Sequence, residues 1–127
     1  MKQGYKRILL KLSGEALGQD GWLFDHDMIG KVAGVLAQVA RTGVQLGVVI
    51  GGGNLWRGRQ GGASGMDAVT ADSIGMLGTV MNCLMMQDAL RRAGAEALVF
   101  SALDMPRVAP GYHRDTVLSA MERGAIV

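Results

Sequence analysis

Apolar and polar positions follow two rhythms along this chain. Ile8-Leu9-Leu10 is an unbroken apolar run, the pattern of a short strand covered on both faces. After Asp25, a good helix N-cap, Met28, Ile29, Val32, Val35, Leu36 and Val39 recur at three- and four-residue spacing. That is one face of an amphipathic helix, and Gly43 follows as its C-cap. Residues 44–50 read as a second strand. From 67 to 92 runs a long helical pattern without proline, ended by Gly94. Its Met76, Leu77, Val80, Met81, Leu84, Met85 and Leu90 spread around much of the circumference. Such a helix is either central in a core or shared with another subunit. Residues 97–100 predict a third strand, and a connection with Pro106 and Pro110 follows. Residues 115–123 predict a short helix capped by Gly124, and 125–127 begin a fourth strand. Strand and helix alternate throughout, so the expected fold class is α/β: a mostly parallel sheet with helices on both faces. An unpaired apolar edge is a liability. A chain that stops inside a buried strand therefore predicts the N-terminal part of a larger fold.

Composition narrows this picture without redirecting it. The 127 residues are 49% hydrophobic and 19% charged, which is globular rather than disordered, and they suffice for one small domain with a core. A net charge of +2 with no Lys/Arg run gives no electrostatic footprint for nucleic acid. The basic amino terminus leads into only three apolar residues, too short for a signal-peptide core. No apolar stretch approaches the length expected of a membrane helix. One cysteine excludes an internal disulfide and fits a reducing cytoplasm, the expected location.

Candidate chemistry gathers where the strands end. Val48-Val49-Ile50 runs straight into Gly51-Gly52-Gly53, then Asn54-Leu55-Trp56-Arg57. Glycines remove side chains and make positive φ available, so backbone N–H groups can face a ligand. Bare N–H groups form an anion site, and an arginine just beyond is a bidentate phosphate partner. A dinucleotide fingerprint would need glycine at position 56, where Trp56 stands, and no G-x-x-x-x-G-K-[ST] occurs. A tight strand-to-helix turn would explain one or two glycines, but three in a row favour phosphate binding. Ile8-Leu9-Leu10 likewise ends at Lys11-Leu12-Ser13-Gly14. Taken alone, Lys11 would be a solvated strand-end lysine. Two such ends side by side lie where open α/β sheets bind ligands, and a lysine there can neutralise a transferring phosphoryl group. Residues 58–65 read as a glycine-rich polar loop or lid.

Three segments carry a family resemblance. These are residues 5–17 (Tyr5-Lys6-Arg7-Ile8-Leu9-Leu10-Lys11-Leu12-Ser13-Gly14-Glu15-Ala16-Leu17), residues 48–58 and residues 71–82 (Ala71-Asp72-Ser73-Ile74-Gly75-Met76-Leu77-Gly78-Thr79-Val80-Met81-Asn82). Together they closely resemble bacterial uridylate (UMP) kinase. The resemblance covers essentially the whole chain. It implies a three-layer αβα amino-acid-kinase fold, truncated here. Residues 1–127 would be the N-terminal, phosphate-acceptor part of one domain, with the ATP-binding part absent. It implies transfer of the γ-phosphoryl of ATP to UMP in pyrimidine biosynthesis, with Mg²⁺ held by the nucleotide phosphates. Lys11, as the catalytic residue, would contact the ATP phosphates with Leu12, Ser13, Gly14, Gly53 and Arg57. Gly52, Gly53, Arg57 and Asp72 would bind UMP, with Asp72 accepting from the ribose hydroxyls. It further implies a hexamer built as a trimer of dimers, a GTP activator and a UTP inhibitor.

Other readings stay open beside it. One is an amino-acid kinase with a carboxylate or carbamate acceptor, for which a ribose-binding Asp72 has no use. Another is a non-catalytic nucleotide-binding or assembly module. Arg91 and Arg92 could serve an effector site, yet as helix-end cations they also complement the helix dipole. His26 and His113 belong to no Cys/His cluster, and Cys83 falls in an apolar helix pattern as a core residue. Met76, Met81, Met85 and Met86 are core or subunit contacts, while Trp22 and Trp56 are interface or loop anchors.

Overall fold

Two parallel strands form the centre of the fold. In this computed structural model, which describes residues 4–19, 21–56 and 64–127, β1 (Arg7–Leu12) pairs with β2 (Gln45–Ile50). The register runs from Arg7 opposite Gln45 to Leu12 opposite Ile50. Beyond β2 the sheet continues as short extended pieces. Val127 N–H donates to Leu46 O (3.1 Å), and Val48 N–H donates to Val127 O (2.7 Å). Ile126 N–H donates to Glu96 O and Leu98 N–H to Ile126 O, both at 2.9 Å. Neighbours across the sheet are thus β1, β2, 125–127 and then the segment at Ala97. The segment expected as a strand at 97–100 makes a single parallel bridge, Ala97 with Ile126, while 125–127 bonds to neighbours on both sides, as the start of a strand does.

Three helices connect these strands, each started by local chemistry. Helix α1 (His26–Arg41) begins where Asp25 accepts from the N–H groups of Asp27 (3.0 Å) and Met28 (3.1 Å). Helix α2 (Ala68–Arg92) begins where Asp67 accepts from Thr70 N–H at 3.0 Å. Helix α3 (Arg114–Glu122) follows His113, which supplies no side-chain cap. Gly43, Gly94 and Gly124 stand just past the three helices with φ of 89°, 87° and 94°. That left-handed backbone is where glycine ends a helix without strain.

The core lies between one sheet face and the first two helices. Ile8, Leu10, Leu12, Leu46, Val48 and Ile50 meet Ile29, Ala33 and Leu36 of α1 and Met86, Ala89 and Leu90 of α2. Helix α3 packs on the other face through Val117 and Met121. It crosses β2 at Gly47, where an added Cβ would lie 3.7 Å from Met121 Cε. Helices therefore sit on both faces, as expected, but the cover is unequal. β1 is buried on one face only, since Leu9 is 74% exposed and Val49 beside it 47%. A nine-residue α3 over Gly47 cannot also reach across β1. Helix α2 is long and apolar enough to cross a bilayer, which the sequence reading did not anticipate. Its carboxyl-terminal half instead supplies core.

Candidate phosphate-binding site

The register of β1 and β2 brings their two exit loops together. Leu12 stands opposite Ile50, so the chain leaves both strands at the same level, and Gly51 N–H donates to Leu12 O at 3.0 Å. After β1, Ser13 Oγ accepts from Glu15 N–H (3.3 Å) and starts a 3-10 turn over Gly14–Leu17. After β2, Gly52 O accepts from the N–H groups of Leu55 and Trp56, both at 3.0 Å. The N–H groups of Gly52 and Gly53 donate to no acceptor among the described residues. These are the bare donors that an anion site requires.

The glycines are needed here for a different reason from the one their sequence suggests. None of Gly14, Gly51, Gly52 or Gly53 has positive φ. At Gly14 and Gly52, close approach is what excludes a side chain. A Cβ on Gly14 would run into the Gly51 carbonyl and lie 2.5 Å from Asn54 Oδ1. A Cβ on Gly52 would lie 2.9 Å from Gly75 O and 3.1 Å from Thr79 N, so the loop rests directly on the backbone of α2. Gly75 and Gly78 keep that side of the helix low, under Trp56 and Leu55.

A cleft of about 460 Å³ opens between the loops, lined by Lys11, Ser13, Gly14, Gly51 and Gly53 among others. Lys11 is exposed at its edge and forms no ion pair among the described residues. Asp72 is exposed on α2, one turn before Gly75, so it shares the helix end on which the glycine loop lies. The structure thus brings Lys11, Leu12, Ser13, Gly14, Gly52 and Gly53 to one place, with Asp72 on the supporting helix. Arg57 and most of the expected loop at 58–65 lie outside the described residues. A second cavity of about 450 Å³ runs along the open sheet face past Leu9, Val49 and Met121. Its walls are mainly apolar, so it lacks the converging polar groups that phosphate chemistry needs.

One feature of the site has no counterpart in the sequence reading. Asn82, fully buried on α2, donates through Nδ2 to Gly51 O (2.7 Å) and to Asn54 Oδ1 (2.7 Å). Asn54 Nδ2 donates in return to Asn82 Oδ1 (3.2 Å) and to Leu23 O (3.1 Å). The available signal was an asparagine set within Val80-Met81-Asn82-Cys83-Leu84, a polar group in an apolar helix stretch. A buried polar side chain needs partners, and here it finds them on the loop. The Trp56 indole N–H is buried with no acceptor among the described residues.

The remaining candidates lie away from the cleft between the loops. Arg91 Nη2 (3.0 Å) and Gln87 Nε2 (3.2 Å) both donate to Ala97 O, and Arg92 pairs with Asp88 at 2.8 Å. Cys83 packs against the core, and burial pushes its thiol above the ordinary value, only partly offset by a backbone hydrogen bond at Ile50. Of the methionines, Met86 is buried, Met85 packs against the core, and Met76 and Met81 are exposed. His26 and His113 are exposed, and no three His, Cys, Asp or Glu of the described residues group as metal ligands.

Parallel strands whose glycine-bearing exit loops meet at one cleft, with helices on both faces, define an α/β protein with a candidate anion site. The chain belongs to the amino acid kinase family, whose model matches residues 6–127. Solved structures sharpen the likeness. UMP kinase from Bacillus anthracis superposes with a TM-score of 0.90 at 37% identity, over 98% of this chain and 52% of that one. UMP kinase from Ureaplasma parvum gives 0.88 at 28% identity, over 97% and 55%. The chain therefore spans about half the length of the UMP kinases that it matches.

Proposed function

We propose that these residues are the N-terminal, phosphate-acceptor part of a UMP kinase, which transfers the γ-phosphoryl of ATP to UMP to give UDP. The observation that carries this reading is the contact between the two exit loops. The loops after β1 and β2 line one cleft, which supports a reaction that joins two phosphates. Family membership and the UMP kinase neighbours support a phosphotransferase.

In this reading Lys11, Leu12, Ser13 and Gly14 hold the ATP phosphates. Gly52 N–H binds the UMP phosphate, Gly53 N–H binds the phosphoryl group in transit, and Arg57 clamps both. Phosphoryl transfer needs positioning and neutralised charge more than a covalent nucleophile, and these residues supply both. Mg²⁺ held by the nucleotide phosphates would add to the neutralisation that Lys11 and Arg57 supply. Asp72 accepts from the ribose hydroxyls. A deoxyribose would leave it underpaired, which favours UMP over deoxynucleotides. The adenine pocket belongs to the part of the domain beyond these residues, so the 127 residues alone do not turn over ATP. Assembly as a hexamer built as a trimer of dimers, activation by GTP, inhibition by UTP and a cytoplasmic site of action belong to the same reading.

A coupled assay of ADP release by the whole protein tests it. UMP-dependent ADP production is expected. A rate that UMP leaves unchanged, while a carboxylate or carbamate acceptor raises it, would move the protein to another branch of the family.

A further inference from the structure

We infer that Asn82, acting through Asn54, is the positioning residue that sets the spacing between the two phosphate loops. This rests on the reading that those loops hold two reacting phosphates. Asn82 is 0% exposed, so it touches no ligand and can act only through its neighbours. Those neighbours belong to both loops. Its Nδ2 reaches Gly51 O and Asn54 Oδ1 on the β2 side, each at 2.7 Å. On the β1 side, Gly14 lies directly against the same amide pair. A Cβ there would be 2.5 Å from Asn54 Oδ1 and 2.8 Å from Asn82 Nδ2. The side chain of α2 is therefore a common support on which both loops rest.

Volume alone does not explain an asparagine at this position. Its helix neighbours Val80 and Met86 are buried apolar residues, and leucine has nearly the same shape. What leucine lacks are the hydrogen bonds. Without them Gly51 O and Asn54 Oδ1, both on half-buried residues beside the cleft, would lose the fixed donor that ties them to α2. Groups freed in this way meet water by moving, so the loops lose their common anchor. The parts free to move are the loops, since α2 is anchored in the core by Met86, Ala89 and Leu90. A shift of one loop against the other misaligns donor and acceptor without removing any group that binds either. The loss therefore falls on the transfer step.

The test compares Asn82→Leu with Leu36→Ala in the whole protein. Leu36→Ala is a core truncation on α1 that weakens the fold away from the loops. Asn82→Leu is expected to lower kcat about 100-fold, the usual effect of a misplacement near 1 Å, with KM for UMP within about threefold. Amide hydrogen exchange is expected to accelerate about 10-fold or more at Gly51, Leu55 and Trp56, the loop amides whose N–H groups are hydrogen-bonded. Leu36→Ala should lower the melting temperature without that local pattern. If Asn82→Leu does not fold, Asn82→Ser keeps one donor for Gly51 O and is measured in the same way. Unchanged loop exchange in the folded variant, or an unchanged kcat, overturns the inference. A wild-type protein that shows no UMP-dependent transfer would instead sink the parent reading. The exchange comparison would still decide the role of Asn82.

Discussion

The two halves of α2 have the same apolar composition and different roles. The carboxyl-terminal half buries Met86, Ala89 and Leu90 against the sheet. The amino-terminal half leaves Val69, Met76 and Leu77 exposed and presents Gly75 and Gly78 to the loop after β2. Asn82 stands at the junction and bonds to that loop. One half is held by apolar burial, the other by close backbone approach and hydrogen bonds. The difference shows how one helix can be both core and platform. The core half fixes its position, and the platform half passes that position to the site.

The largest effect should come from truncating the core half. Leu90 is 3% exposed, and Leu90→Ala should cost about 2–5 kcal/mol in denaturant unfolding. Loss of that size without selective loosening of the loops would match the division. Selective loosening would break it. Next comes Gly52→Ala, whose Cβ meets the Gly75 carbonyl at 2.9 Å. The loop must lift from the helix, at a cost of about 1–3 kcal/mol by thermal unfolding.

Gly75→Ala should have a smaller effect of the opposite sign. Among the described residues its Cβ would find only Trp56 Cδ1 at 3.7 Å, an ordinary contact. Replacing a mid-helix glycine should then raise stability by about 0.5–1 kcal/mol. Destabilisation would mean that the platform is already at its closest approach. The smallest effect concerns Cys83, whose thiol is held above its ordinary value by burial. The neutral form is favoured in the fold, so the unfolded chain ionises first as pH rises. Stability should fall as pH climbs from the ordinary thiol value toward the raised one, and Cys83→Ala should remove that component. A pH profile identical in the two proteins would contradict it.

Much of this architecture is legible in the chain. Asp25 and Asp67 mark helix starts because a short carboxylate satisfies free N–H groups. Gly43, Gly94 and Gly124 mark helix ends because their backbone is left-handed. The strand exit at Gly51 is visible as a break in an apolar run, whereas β1 runs on through Lys11 to Leu12. What escapes a reading of pattern depends on distance across the fold. Leu9 looks as buried as Leu10, but only the face toward α1 and α2 is covered. Residues 97–100 look like a strand, yet within 97–100 the only residue in a bridge is Ala97, with Ile126. The glycine loop invited an argument from conformational freedom, whereas crowding against α2 and against Asn54 is the actual constraint. Asn82 was hidden because its partners lie 28 and 31 residues away in sequence.

The most direct test of the central claim is a crystal structure of the whole protein with UMP bound. The account predicts the UMP phosphate within hydrogen-bond distance of the Gly52 and Gly53 N–H groups, with the ribose hydroxyls at Asp72. A bound UMP whose phosphate lies away from the loops after β1 and β2 would contradict it.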